Sequence, residues 1–155
     1  MDKANLAKAL FRHVKNNDIG QIEKCLKRGD AGSWREVIRH EIELLPLLDN
    51  VLKDNKVIFN LLQCTINSLS PLHLAALLGH SDILVTFFDR DVSVDTTLQT
   101  GSTCLHMASF GGHVGIVKLL LHVYHVDASM QDRCALLHDY KSCCLMFISS
   151  GICYI

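Results

Sequence analysis

The sequence predicts an all-α solenoid, a stack of helical hairpins that share one core. Two observations predict this fold class: residues 70–84 recur as residues 103–117, and both copies carry apolar residues at helical spacing. Hydrophobic residues make up 49% of the 155 residues and charged residues 20%, which excludes a disordered or fibrous chain. A chain of this length can bury a stable core without disulfides or metals.

The internal repeat aligns the two copies without a gap. Self-similarity at one fixed period of about 20 to 50 residues is typical of stacked architectures. The pairs that are identical in this alignment are Leu72 and Leu105, His73 and His106, Ala75 and Ala108, Gly79 and Gly112, His80 and His113, and Ile83 and Ile116.

Each copy contains the signals of a helix pair. Ser70 and Thr103 are predicted N-caps, because their hydroxyls can accept a backbone N–H, and Pro71 occupies a first helical position, where its missing donor is not needed. Gly79 is expected to end the first helix in the left-handed conformation, and Gly112 coincides with it. Apolar residues then predict the second helices, namely Ile83, Leu84, Phe87 and Phe88 in one copy and Ile116, Val117, Leu120 and Leu121 in the other.

The pattern S/T-P-L-H-L-A-A-x-x-G-H-x-x-I-L/V resembles the ankyrin repeat, and its spacing along the chain also matches the period of that family. The resemblance implies that residues 91–101 form a protruding β-hairpin, here called the finger, in which Val94 and Asp95 occupy the family's Val-Asn step. It also implies a structural role for the motif residues, whose histidines tie adjacent units together: Ser70, Pro71, Leu72, His73, Gly79, Thr103, Leu105, His106 and Gly112.

A third, incomplete copy is predicted downstream. Val126 and Asp127 align with Val94 and Asp95, which places residues 135–138 at the T-P-L-H position. Beyond that segment the family's remaining residues are absent, so the repeat is expected to stop in the middle of a unit.

Upstream, residues 6–31 are predicted to form a more polar, cap-like helix pair. Asp18 and Gln21 make a capping box, and Gly29 is expected to end the second helix. The apolar stripes of the pair are Leu6, Leu10 and Val14, followed by Ile22, Cys25 and Leu26.

Residues 33–64 are predicted to be a degenerate unit without the T-P-L-H motif. Ser33 with Glu36 is expected to open a helix, Pro46 to interrupt it, and residues 64–68 to form a short finger. The apolar residues assigned to that helix are Ile38, Ile42 and Leu45.

The expected division is an ankyrin-repeat domain at residues 1–140 followed by an apolar tail that lacks the repeat at 141–155. The domain is divided into a cap-like repeat at 6–31, the degenerate unit at 33–64, repeats at 66–97 and 98–130, and a partial repeat at 131–140.

Charge and cysteine content narrow the function classes. Fifteen basic and sixteen acidic residues leave a formal charge of −1, so a basic surface for nucleic acid is not expected. Seven cysteines form an odd count without a CxxC pair, which favours reduced thiols and a cytoplasmic or nuclear location. The longest apolar run, residues 143–155, is shorter than the roughly 20 residues of a spanning helix, so no membrane-spanning segment is expected.

Histidine and cysteine are the residues that could carry chemistry. Most of the nine histidines lie at repeat positions, where a structural role is expected. We therefore expect no catalytic residue, no metal and no cofactor, and a zinc-dependent or thiol enzyme is the alternative. A zinc site would draw on His122 and His125 with Cys134, Cys143 and Cys144, whereas Cys25, Cys64 and Cys104 are expected to be inert core thiols.

The resemblance implies a protein–protein interaction module, or adaptor, without catalysis. Its partner protein would lie on the concave face that finger tips and the ends of the first helices form. Leu77, Leu78 and Phe110 are expected to be exposed apolar side chains on that face. The residues assigned to it are Ile66, Asn67, Leu69, Leu77, Leu78, Gln99, Thr100, Ser102 and Phe110.

A second hypothesis starts from the tail at 141–155. It makes the chain a regulatory or inhibitory subunit held at a membrane surface, with Cys143 and Cys144 as S-acylation sites. Because a solenoid needs a polar closing cap, the apolar tail also motivates two further hypotheses: self-association, and a shortened isoform or fragment of a longer array.

Overall fold

The computed structural model describes residues 2–28, 31–44 and 67–130. Several predicted features lie outside these residues: the helix end at Gly29, the face residue Ile66, the interruption at Pro46, the partial third repeat and the tail.

The N-terminal helix pair consists of α1 (Lys3–Lys15) and α2 (Ile19–Lys27). The carboxylate of Asp18 accepts a hydrogen bond from the backbone N–H of Gln21 at 3.1 Å, which confirms Asp18 as the cap of α2. The predicted stripes also face the core: Leu10, Val14, Ile22 and Leu26 are buried, and Leu6 and Cys25 are half-buried.

The third helix, α3 (Ala31–Arg39), begins earlier and ends sooner than the sequence predicted. Ser33 lies inside it, so the prediction that Ser33 opens the helix is wrong. The prediction that Ile42 continues the helix is also wrong, because Ile42 lies in the strand β1 (Ile42–Glu43).

Strand pairing explains why the helix stops. Ile42 and Leu44 are buried while Glu43 is exposed, an alternation that suits an extended chain with one face on the core. β1 pairs antiparallel with β2 (Ser68–Leu69), and the N–H of Leu44 donates to the carbonyl of Asn67 at 2.8 Å. These bonds satisfy backbone groups that a continued helix would otherwise have satisfied.

The first clear repeat contains α4 (Pro71–Leu78) and α5 (Ser81–Phe88). The hydroxyl of Ser70 accepts the N–H of His73, Pro71 lies at the helix start, and Gly79 ends α4 with a φ of 85°. These features confirm the predicted start and end of the helix. All four residues of the predicted second-helix stripe are buried in α5: Ile83, Leu84, Phe87 and Phe88.

The second clear repeat contains α6 (Cys104–Phe110) and α7 (Val114–Lys118), and α7 continues as a π-helical turn over Leu119–Val123. Thr103 caps α6, as predicted, and Gly112 has a φ of 74°. Of the predicted second-helix stripe, Ile116, Val117 and Leu120 are buried and Leu121 is half-buried.

The π-helical turn changes the register of the second repeat. After it, His125 takes the left-handed conformation that Asp91 takes in the first repeat, with φ of 52° and 57°, respectively. The next residues, Val126 and Val92, are both buried. Val126 therefore corresponds to Val92, and its predicted alignment with Val94 is wrong.

The helices stack around α4, which contacts α1 on one side and α6 on the other, and α3 contacts both α1 and α4. One hydrophobic cluster runs through these helices, from Ala7 in α1 to Leu120 in the π-helical turn. This arrangement confirms the predicted stack of helix pairs.

His113 links the two clear repeats. Its Nε2 donates to the carbonyl oxygen of Leu77 at 2.8 Å, and thus satisfies an acceptor in the last turn of α4. Two glycines make room for its ring: a Cβ on Gly79 would lie 2.6 Å from His113 Nδ1, and a Cβ on Gly111 would lie 2.7 Å from His113 Cδ2.

Candidate protein-binding surface

The base of the finger is held by the buried His73. The hydroxyl of Ser70 donates to Nδ1 at 2.8 Å, and Nε2–H donates to the carbonyl of Thr96 at 3.1 Å. Burial lowers the pKa of His73 to about 4, although bonds to the Thr96 and Ser102 backbones favour its charged form. The ring is therefore neutral near pH 7, and its Nε2 carries the proton.

His106 repeats part of this arrangement one unit later. Its Nδ1 accepts the backbone N–H of Thr103 at 3.1 Å, and the backbone N–H of His106 donates back to the Thr103 hydroxyl at 3.4 Å. A ring nitrogen that accepts from a backbone N–H is unprotonated, so the proton is on Nε2 in this ring as well. Both motif histidines thus fix the starts of their helices.

The finger is built around residues 97–103. Thr97 and Thr103 form an antiparallel bridge, and the N–H of Leu98 donates to the carbonyl of Ser102 at 2.9 Å. Gly101 closes the turn with a φ of 84°, a conformation that glycine adopts without strain. The paired segment therefore begins later than the implied range of 91–101, and Gln99 and Thr100 lie at its tip.

Glu41 connects the finger tip to the preceding strand pair. One carboxylate oxygen accepts the backbone N–H of Gln99 at 2.7 Å, and the other accepts the hydroxyl of Ser68. Bonds to a carboxylate are stronger than those between neutral groups. The finger is consequently fixed at its base by His73 and at its tip by Glu41.

A polar cleft of ≈ 460 Å³ lies between the end of α3 and the finger. Lys3 and Glu36 form an ion pair in it, and the Lys3 ammonium lowers the pKa of the Glu36 carboxyl through hydrogen bonding and charge. The residues that line the cleft are Lys3, Glu36, Arg39, His40, Glu41, Thr96, Thr97 and Gln99.

The described residues that were assigned to the binding face differ in their solvent exposure. Asn67 and Gln99 are exposed, and Thr100, Leu78 and Phe110 are half-buried. The other three described residues, Leu69, Leu77 and Ser102, are fully buried.

The expected exposure of Leu77 is therefore wrong. Gly111 of the next unit lies against the Leu77 carbonyl, since a Cβ there would be 2.3 Å from the oxygen, and His113 bonds to the same atom. Leu69 lies opposite Ile42 in the strand pair, and both residues are part of the hydrophobic cluster. Leu69, Leu77 and Ser102 support the surface from below and do not form it.

Of the eight assigned residues that the structure describes, only Gln99 lines the cleft. Most of the other lining residues come from α1, from the end of α3 and from the short segment before β1. The sequence contains their charges, but their convergence depends on the helix ending at Arg39, which no local signal marks. The sequence analysis did not assign Glu41 to the site, because its position also depends on where α3 ends.

The described residues bear on the two alternatives, a zinc site and a thiol nucleophile. Within residues 2–28, 31–44 and 67–130, no group of three or more His, Cys, Asp or Glu side chains is arranged to hold a metal ion. The three cysteines of the zinc alternative lie outside these ranges. Cys104 is buried, and burial raises the pKa of its thiol to about 12, as an inert core thiol requires.

None of the described helices is long and apolar enough to cross a membrane. Cys25 and Cys104, the described cysteines, are both free thiols.

The profile of the family described as "Ankyrin repeats (3 copies)" matches residues 42–151, a range that includes both clear repeats and the finger.

Proposed function

Because the chain belongs to the ankyrin-repeat family, whose members are generally protein-binding modules, we propose that it is an adaptor that binds a partner protein without catalysis. The partner contacts the concave face, at the finger tip and the adjoining cleft. We call this region the finger surface and define it by Asn67, Gln99, Thr100 and the lining residues of the cleft.

The observation that carries the proposal is the cleft itself, next to a finger that is fixed at both ends. A binding loop that is already ordered loses little conformational entropy when a partner docks, so its contacts contribute more fully to affinity. His73 and Glu41 provide that order here. The cleft next to the finger tip is large enough to receive side chains of a partner.

The proposal that the chain has no catalytic activity rests on the burial and protonation of the described side chains that could act as base or nucleophile. The imidazole of His73 is buried, neutral and engaged by Ser70 and Thr96. The thiol of Cys104 is buried, and its raised pKa keeps it protonated near pH 7. Both groups therefore support a structural role better than a role as base or nucleophile.

Leu78 and Phe110 are proposed as a secondary, apolar part of the contact. Both are half-buried and pack against the hydrophobic cluster, so each presents only part of its side chain to a partner. Their substitution would also disturb the core, and they are for that reason poor positions for a first test.

The location that fits these properties is the cytoplasm or the nucleus, where free thiols such as Cys25 and Cys104 stay reduced. Fractionation of cells that express the full chain, followed by immunodetection, tests this proposal.

Affinity capture with matched variants tests the finger surface. The double variant Asn67→Arg, Gln99→Arg adds two large cations at exposed positions of the finger surface, and the control Gln21→Arg, Ser81→Arg adds the same charge at exposed positions on α2 and α5. We expect a partner whose capture by the finger variant falls at least about tenfold, whereas the control variant captures it like wild type.

Thermal unfolding of all three proteins checks that the fold is intact. Equal loss of capture in the two variants, or equal retention of every captured protein, would refute the finger surface as the site of binding.

A further inference from the structure

The backbone next to Glu41 is held in place by burial and by strand pairing. It directly precedes β1, and two of the residues that follow it, Ile42 and Leu44, are buried on either side of the exposed Glu43. β1 is paired with β2, whose Ser68 hydroxyl donates to the Glu41 carboxylate. The backbone of Glu41 is thus fixed by the adjoining strand, and its carboxylate is fixed by the bond to Ser68.

The finger turn presents a donor that its own hairpin does not use. Within the finger, the N–H of Leu98 donates to Ser102 and the N–H of Gly101 donates to Leu98, at 2.9 and 2.8 Å. The N–H of Gln99 instead donates across 58 positions of sequence to Glu41. The bond therefore fixes the tip relative to another unit of the stack, which hairpin bonds cannot do.

We infer that Glu41 is the positioning residue of the finger surface: by accepting the Gln99 N–H it sets where the finger tip stands when a partner docks. This inference rests on the proposed function. The contribution of Glu41 is geometric, because its two oxygens are engaged by Gln99 and Ser68 and its role is to hold the turn.

The chain offers a matched set of variants. Glu41→Ala removes the acceptor. Glu41→Gln keeps a carbonyl oxygen for the Gln99 N–H and an amide that can donate to Ser68, so it removes the charge and preserves the geometry. Glu43→Ala is the control, since it makes the same change at an exposed position two residues away.

Amide hydrogen exchange of the full chain, followed by NMR at single residues, tests the inference without a partner. In Glu41→Ala, we expect the Gln99 amide to exchange about tenfold faster than in wild type, as the loss of one charge-assisted bond implies. The Leu98 amide, which is bonded within the hairpin, should keep its rate. Glu43→Ala should leave both amides unchanged, and Glu41→Gln, which keeps a neutral acceptor, should raise the Gln99 rate by less than Glu41→Ala does.

The affinity for the partner identified by capture provides the second readout. We expect Glu41→Ala to weaken binding about fivefold to tenfold, and Glu41→Gln to restore it. If Glu41→Ala proves unfolded, Glu41→Asp replaces it, because the shorter side chain withdraws the acceptor and keeps the charge.

The outcomes separate the two proposals. An unchanged Gln99 exchange rate in the acceptor-deleting variant overturns the inference while the finger surface stands. Faster exchange with unchanged affinity also overturns it, because the tip would then not need to be positioned. If the double finger variant fails to reduce capture, the proposed function fails, and the positioning role fails with it.

Discussion

The two clear repeats, one containing α4 and α5 and the other α6 and α7, begin their first helices alike and differ in how they contact the unit before them. In both, a hydroxyl caps the helix and a histidine three residues later bonds to that hydroxyl. His113 of the second repeat also donates to Leu77 of the first at 2.8 Å. Nε2 of His80, the equivalent residue, is buried and has no hydrogen-bond partner in the described part of the chain.

The described parts of the two preceding units differ. The second repeat follows α4, whose last turn presents a carbonyl to His113. The first repeat follows a unit whose described part is α3 and a strand that departs soon after Arg39. A repeat histidine therefore stabilises the stack where the last helical turn of the neighbouring unit presents a carbonyl to it, as Leu77 does to His113.

The ends of the second helices also differ. The first repeat finishes α5 in the α-helical form, whereas the second inserts a π-helical turn in which the N–H of Tyr124 donates to Leu119 at 3.3 Å. Before this turn His113 is equivalent to His80, and after it Val126 is equivalent to Val92, so the spacing between the copies has grown by a single residue. The inserted residue is absorbed in the helix, and Val126 still reaches the core.

The largest expected effect is at the contact between the repeats. Gly111→Ala would place a Cβ 2.3 Å from the Leu77 carbonyl oxygen, a backbone atom that cannot move without shifting α4. We expect a loss of about 3 kcal/mol in the free energy of unfolding. Chemical denaturation measures it.

The matched control is Gly115→Ala, at a helical position where a Cβ meets nothing within 4 Å. There the better helix propensity of alanine should stabilise the fold by about 0.5 to 1 kcal/mol. A neutral or stabilising Gly111→Ala would refute the close packing of the two repeats.

A somewhat smaller loss in the free energy of unfolding is expected on acidification, because of His73. The folded state holds the pKa of His73 at about 4, below its ordinary value of 6.5, so the unfolded chain binds the proton more readily between these values. Stability from this group is complete above pH 6.5 and is lost as the pH falls toward 4. We expect its share to be about 2 kcal/mol between pH 7 and pH 5.

Urea unfolding at these two pH values measures that loss in wild type and in His73→Gln. The variant should be less stable at pH 7 and should lose less stability on acidification. His122→Gln, at an exposed position, is the control and should behave like wild type. Equal pH dependence in His73→Gln and wild type would contradict the assignment.

The smallest expected effect is the difference in unfolding free energy between variants of the two equivalent histidines, His113 and His80. His113→Ala should cost about 1 to 2 kcal/mol, because it removes the bond to Leu77 and leaves a carbonyl without that donor. His80→Ala removes a ring whose Nε2 has no such bond within the described residues, and should cost about 1 kcal/mol less. Denaturation curves of the two variants at pH 7.5 decide this, and equal losses would contradict the comparison.

The features that the sequence predicted correctly are those with a local physical cause. Hydroxyl caps at Ser70 and Thr103, the left-handed Gly79 and the buried stripes of the second helices each follow from residues within one turn of each other. The fold class follows because these signals recur at one spacing, and stacking is the arrangement that buries both stripes.

The features that it missed depend on contacts between distant segments. Nothing near Arg39 signals the end of α3, which the pairing of Ile42 with Leu69 determines. Leu77 is likewise buried in the hydrophobic cluster, and its carbonyl contacts Gly111 and His113 of the next unit.

The candidate site shows the same limit. Gln99 was assigned to the binding face from its repeat position, but the cleft beside it also needs Lys3 from α1 and Glu41 from before β1. Charged residues such as these are common on helix surfaces, and only the three-dimensional structure brings them together.

Site-specific photocrosslinking tests the finger surface most directly. A benzophenone amino acid replaces exposed Gln99 in one protein and exposed Ser81, at the start of α5, in another, and both are irradiated with the partner identified by capture. We predict a covalent adduct from position 99 and none above background from position 81. An adduct from position 81 alone, or equal adducts from both, would contradict binding at the finger surface.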